Sequence, residues 1–171
     1  MLYTGKGDTG ETSLFGSSAR IPKNSSRIEA LGSLDELNSW LGVCRSKAKL
    51  DAETKQELEI VQQNLFIIQA ELAGVPKSIE ENKVKKLGER VEEIEKLLPA
   101  IHTFFLPGGD ELSAHLDYAR TLARRAERAV ISEKLDQFSL AYLNRLSSLL
   151  YALARLENHK SGIKEEKPTY E

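Results

Sequence analysis

Apolar side chains recur in alternating steps of four and three along five separate stretches of this sequence, a spacing that builds one face of a helix and suits no strand. Ala30, Leu34, Leu37, Leu41 and Cys44 predict a first helix from about Arg27 to Ala48. Leu58, Val61, Leu65, Ile68 and Leu72 predict a second from about Ala52 to Ala73, widened by Ile60 and Ile67, so it is expected to be the most enclosed. Gly74 and Pro76 end it. Ser78 to Glu81 reads as a capping box opening a third helix with Val84, Leu87, Val91, Ile94 and Leu98 inward, and Pro99 closes that helix. Asp110 caps a fourth, with Leu112, Leu116, Ala119, Ala123, Ala126 and Val130 as its stripe. A fifth, about Asp136 to Asn158, buries Ser139, Leu143, Leu146, Leu150 and Leu153. The expected fold is all-α: a left-handed five-helix bundle with shallow crossing angles, preceded by a glycine-rich N-terminal loop. One domain is expected over 1–171, divided into a loop (1–26), a bundle (27–159) and a loose polar tail (160–171).

At 171 residues, 40% hydrophobic and 29% charged, the chain has enough apolar material for one core and is not a disordered sequence. No apolar run approaches the roughly 20 residues of a membrane span, and nothing resembles a secretory leader. Cys44 is the only cysteine, which rules out an internal disulfide and points to the cytoplasm. A net charge of −2 argues against a general nucleic-acid binder.

Gly5, Gly7 and Gly10 lie in the run Thr4 to Ser13. Glycines let backbone N–H groups converge on an anion, Lys6 adds charge, Thr12 and Ser13 add hydroxyls, and Asp8 can reach Mg²⁺ through water. The run is not a Walker A loop, since no Gly-Lys-Ser/Thr opens a helix after a strand, and it reads equally as a flexible arm. Lys23 and Arg27 place further charge at the N-terminus of the first helix. On the fourth helix, Arg120 and Glu127 flank the alanine stripe, Arg124 lies further round, and Arg125 and Arg128 point elsewhere. An arginine enclosed beside small residues needs a carboxylate or phosphate, whereas a solvated charge run makes only local ion pairs such as Asp117 with Arg120. Asp35 sits among Gly32, Ser39 and Gly42, and Asn144, Ser148, Tyr151 and Arg155 form a second face of the fifth helix. Both surfaces suit either packing against another subunit or solvent.

His102, His115 and His159 are the only histidines, and no Glu-x-x-His pair or Ser–His–Asp arrangement stands out. Without an acid–base dyad, the residues suit a reaction that needs positioning and charge neutralisation. A nucleotide-binding regulator and a purely structural helical protein are the competing readings; the first has no use for Phe104 and the LPGG loop at 106–109, and ATP binding would exclude the second.

The segments YTGKGDTGETSLFG, RIPKNSSRIEALGSLDELNSWLG, FFLPGGDELSAHLDYARTLARRAER and YLNRLSSLLYALAR resemble, in order from Tyr3 to Arg155, the PduO-type ATP:cob(I)alamin adenosyltransferases. The resemblance implies a cytoplasmic homotrimer with active sites at its subunit interfaces. It implies ATP, Mg²⁺ and cobalamin as ligands, transfer of the 5′-deoxyadenosyl group to cobalt, and a flavoprotein reductase and a B12-dependent enzyme as partners. It places Thr4, Gly5, Lys6, Gly7, Thr12, Ser13, Lys23, Arg27, Arg124, Arg125, Glu127, Arg128 and Asn144 around ATP, with Arg124 on the triphosphate. It makes Asp35 and Arg120 a salt bridge between subunits, and Phe104 the residue that crowds the lower face of the corrin. No metal is implied on protein ligands alone. This sequence departs from the family's pattern at Gly5, where a basic residue is commoner and Lys6 supplies the charge, and in a tail without a sure second corrin-facing aromatic.

Overall fold

The structure is a computed structural model describing residues 3–48 and 51–170. Five helices follow in order: α1 (Ser26–Lys47), α2 (Ala52–Leu72), α3 (Glu81–Leu97), α4 (Glu111–Val130) and α5 (Gln137–Lys160). Before them, β1 (Glu11–Thr12) and β2 (Ile21–Pro22) pair antiparallel, Glu11 opposite Pro22 and Thr12 opposite Ile21. The five-helix architecture expected from the periodicity is present, and the glycine-rich loop is folded into a short hairpin.

Packing runs α2–α1–α4–α5–α3, each helix touching its neighbours in that order. The spaced residues form the core: Leu34, Leu37 and Leu41 of α1, Leu58, Leu65 and Ile68 of α2, Ile94 of α3, Leu116 of α4, and Leu143, Leu146, Leu150 and Leu153 of α5 are all buried. Antiparallel α1 and α4 are tied along their length. Arg27 meets Glu133 just beyond α4, the Trp40 indole N–H donates to the His115 carbonyl at 2.9 Å, and Lys47 meets Glu111 at 2.5 Å. Cys44 is inside this core, where burial pushes its thiol up to about 12, so it is an inert packing residue.

Asp110 and Asp136 cap α4 and α5, accepting from the N–H of Leu112 at 2.9 Å and of Phe138 at 2.8 Å. Asp136→Ala is therefore expected to lower stability by about 1 kcal/mol in urea unfolding. An unchanged midpoint would show that the cap contributes nothing. Gly74, at φ +94°, ends α2 with the Val75 N–H returning to the Ala70 carbonyl at 2.9 Å, as the glycine stop requires.

Three expectations are corrected. The second helix is not the most enclosed: Ile60 and Phe66 are 54% and 64% exposed, because α2 packs closely only along α1 and meets α3 and α5 through side chains such as Glu57 and Asn64, while α5 lies between α3 and α4. The capping box at Ser78–Glu81 does not form. Buried Ile79 is drawn onto α5, its N–H donating to Ser139 Oγ at 3.2 Å, so α3 starts at Glu81 with Glu80 at the cap and no side-chain bond there. The tail beyond Lys160 is not loose, since it folds back onto the 101–109 loop, where the Leu106 N–H donates to the Glu166 carbonyl at 2.8 Å.

Candidate active site

The N-terminal arm is organised by backbone turns and one arginine. The Asp8 N–H donates to the Gly5 carbonyl at 3.1 Å and the Gly10 N–H to the Gly7 carbonyl at 3.2 Å, with Gly5 and Gly10 at positive φ. Arg20 then spans the loop, donating to the carbonyls of Lys6 at 2.6 Å and Glu11 at 2.7 Å. The Lys23 N–H donates to the Gly10 carbonyl at 2.9 Å, and its ammonium lies so close to Gly7 that a Cβ there would stand 3.0 Å from Nζ. Lys23 is thus held against the glycine run. Thr4 and Lys6 are exposed, while Gly5, Gly7, Thr12 and Ser13 are half-buried. The arm gathers the Lys23 ammonium and the Thr4, Thr12 and Ser13 hydroxyls around a glycine turn, donors of the kind a polyphosphate cradle uses.

A second group forms where α4, α5 and the 101–109 loop meet. They enclose a cleft of ≈ 540 Å³ lined on one side by Phe104, Phe105 and Leu106, and on the other by Arg120, Arg124, Ser148 and Tyr151. The loop reaches it because Gly109 turns at φ +103° directly against Asn158, leaving no room for a side chain. Phe104 is 78% exposed and presents a large apolar surface to this cleft. Arg120 is half-buried, bonded to Asp117 at 3.1 Å, and lies 5.7 Å from the Tyr151 ring centroid. Arg124 is exposed at the rim, and Asn144 stands exposed one turn before Ser148 on α5. The cleft therefore pairs an apolar wall with a guanidinium wall.

Phe104, Arg120 and Arg124 are thus brought together within one chain, and Thr4 to Ser13 with Lys23 form a separate group on the arm. Arg125 pairs with Glu36 of α1, while Arg128 is exposed and Glu127 half-buried. Asp35 is exposed beside Gly32 and Ser39 on an uncovered stripe of α1, and the partner of Arg120 within the chain is Asp117.

A family model described as cobalamin adenosyltransferase matches residues 2–157. The chain belongs to this family. It is 40% identical over 96% of its length to the corrinoid adenosyltransferase PduO of Salmonella typhimurium, of which it spans 53%. To a corrinoid adenosyltransferase of Citrobacter freundii it is also 40% identical, over 91% of this chain and 94% of that one. Among solved structures, a variant of the PduO-type ATP:corrinoid adenosyltransferase from Lactobacillus reuteri, complexed with cobalamin and ATP, superposes with a TM-score of 0.91 at 33% identity, covering 99% of this chain and 97% of that one.

Several residues that hold these groups in place had no signal in the sequence. Arg20 acts through backbone carbonyls nine and fourteen residues away, contacts that no periodicity announces. Glu133 is another. Its side chain is 7% exposed and accepts from Ser26 Oγ at 2.8 Å and Arg27 Nε at 3.0 Å, and these bonds hold its carboxyl below the usual range. A lowered carboxylate stabilises the fold above its ordinary pKa and loses that contribution as pH falls through the lowered value. Glu133→Gln is thus expected to be less stable than the parent at neutral pH, with the gap closing below about pH 4 in urea titrations. A gap independent of pH would contradict the ion pair's role in tying α1 to the end of α4.

Proposed function

We propose that this chain transfers the 5′-deoxyadenosyl group of ATP to the cobalt of reduced cobalamin, releasing triphosphate, at a site completed by a second copy of itself. As a member of the family it is an ATP-dependent corrinoid adenosyltransferase. The observation that carries the reading is the cleft in which Phe104 faces Arg120 and Arg124.

The reaction joins cobalt(I), a strong nucleophile, to the 5′ carbon of ATP as the carbon–oxygen bond to triphosphate breaks. Cobalt supplies the electron pair and triphosphate carries it away, so no general base is needed. The protein holds the two partners in line and offsets the charge growing on the leaving group. Arg124 takes the triphosphate, aided by Lys23 and the Thr4–Gly7 turn, by Thr12 and Ser13, and by Arg27, Arg125, Glu127, Arg128 and Asn144 around the nucleotide. Phe104 presses on the lower face of the corrin and removes cobalt's axial ligand, which eases reduction of cobalt(II).

Mg²⁺ fits as a companion of the triphosphate. Exposed Asp8 next to the Gly5 turn offers the single carboxylate that this hard ion takes alongside phosphates. When bound, it neutralises charge on the leaving group.

A homotrimer supports this arrangement, because the arm and the α4–α5 rim are separate groups in one chain and both are exposed. The open Gly32–Asp35–Ser39 stripe lets a neighbouring helix approach closely, bringing Asp35 of one copy to Arg120 of the next. The lone buried Cys44 agrees with a reducing cytoplasm, and among the described residues no helix is long and apolar enough to cross a membrane. A flavoprotein reductase supplies the electron, and a B12-dependent enzyme consumes the product.

The test is the corrinoid absorbance change on mixing ATP with chemically reduced cobalamin. The spectrum of an adenosylated product is expected in stoichiometric turnover; a spectrum unchanged by ATP would reject the reading.

A further inference from the structure

The 99–109 loop is anchored at both ends by groups outside it. At its start, Arg155 Nη2 donates to the Pro99 carbonyl at 3.1 Å. At its end, the Leu106 N–H donates to the Glu166 carbonyl at 2.8 Å, and Asn158 Nδ2 donates to the Gly108 carbonyl at 3.0 Å. Between these anchors residues 100–105, including Phe104, make no hydrogen bond to the helices among the described residues. The pose of Phe104 is therefore set by where the anchors hold the ends of its loop.

Two of these three bonds, Arg155 to Pro99 and Leu106 to Glu166, depend on one ion pair, while Asn158 holds Gly108 independently. Arg155 is on α5 with its side chain 5% exposed, and its Nε and Nη2 donate to the two carboxylate oxygens of Glu165 at 2.8 Å each. The same guanidinium lies 5.3 Å from the ring centroid of Phe105, the residue next to Phe104. A buried guanidinium needs a carboxylate, and this two-pronged geometry fixes the tail in register as a single bond would not. Held there, Glu165 also fixes its neighbour Glu166, whose carbonyl takes the Leu106 N–H. Neutralising Glu165 loosens the start of the loop through Arg155 and its end through Glu166.

We propose that Arg155 and Glu165 are positioning residues for the corrinoid half of the reaction, clamping the loop so that Phe104 keeps its pose over the cleft. The proposal rests on the role given to Phe104 above. It concerns the step that depends on that pose, the reduction of cobalt(II), and leaves the nucleotide alone.

The experiment uses the full chain carrying Glu165→Gln, with Glu165→Asp as the variant that keeps the charge. Adenosylation is measured from cobalt(II) cobalamin with a chemical reductant and from cobalamin already reduced to cobalt(I). Electron paramagnetic resonance reports the fraction of bound cobalt(II) that has lost its axial ligand. Glu165→Gln is expected to lower that fraction and to slow the cobalt(II) route between about tenfold and a hundredfold. KM for ATP and the rate from cobalt(I) are expected to stay within about twofold of the parent, and Glu165→Asp to recover part of the loss. Equal losses on both routes, or no loss on either, would overturn the clamp while leaving the enzymatic assignment standing. A parent enzyme inactive on both routes would overturn the assignment, and the clamp with it.

Discussion

Replacing Arg124 by Ala is expected to lower kcat/KM for ATP by about a hundredfold to a thousandfold, the range for removing one preorganised donor from a developing anion. Arg124 stands exposed at the rim of the cleft, with no carboxylate bonded to it among the described residues. Its neighbours differ: Arg125 is engaged with Glu36 and Arg120 with Asp117. A free guanidinium offers paired N–H donors to phosphate oxygens, and lysine cannot reproduce that fork, so Arg124→Lys is expected to recover only part of the loss. The check is steady-state kinetics with chemically reduced cobalamin, together with ATP binding by calorimetry. Kinetics like those of the parent would show that the triphosphate lies elsewhere.

Phe104→Ala is expected to separate the two halves of the reaction. Its ring is 78% exposed, so its loss leaves the core intact and removes only what the ring does to a ligand in the cleft. Adenosylation starting from cobalt(II) is expected to slow by more than about tenfold, because the axial ligand stays on and the metal resists reduction. ATP affinity is expected to hold, as is most of the rate when cobalt(I) is supplied ready-made. A loss of ATP affinity equal to the loss of rate would count against the wedge.

The fold was legible because it rests on repetition. Leu34, Leu37 and Leu41, or Leu143, Leu146 and Leu150, announce a buried face by spacing alone, and all six are buried. Enclosure was less legible, because it depends on which helices are neighbours. Ile60 lies on an apolar flank that no helix covers, while Arg155, polar by type, is buried because the tail brings Glu165 to it. The failure at Ser78 has the same origin: local capping chemistry lost to the burial of Ile79. Such outcomes are decided by contacts distant in sequence, which periodicity does not encode.

The site divides along the same line. Glycines and lysines crowded near the N-terminus, and arginines beside an alanine stripe, were visible as anion-binding material, and the structure gathers each into a group of its own. That the loop bearing Phe104 forms the apolar wall opposite Arg120 could be stated only by resemblance, since Phe104 and Arg120 are joined by tertiary packing. The Asp117–Arg120 pair was readable from its spacing on one helix, whereas the role of Glu133 became visible only once α1 and α4 were laid side by side, since it gains its meaning from Arg27.

The central claim is that the arm of one copy and the α4 arginines of another grip the same nucleotide. Co-expressing Lys23→Ala chains with Arg124→Ala chains tests it most directly, by the adenosylation rate of the mixed oligomers. In trimers assembled at random, about a quarter of the sites combine an intact arm with an intact α4, so activity is expected to rise to about a quarter of the parent's, well above either variant alone. Mixed trimers no more active than the two variants would contradict it, placing both groups in the same chain's site.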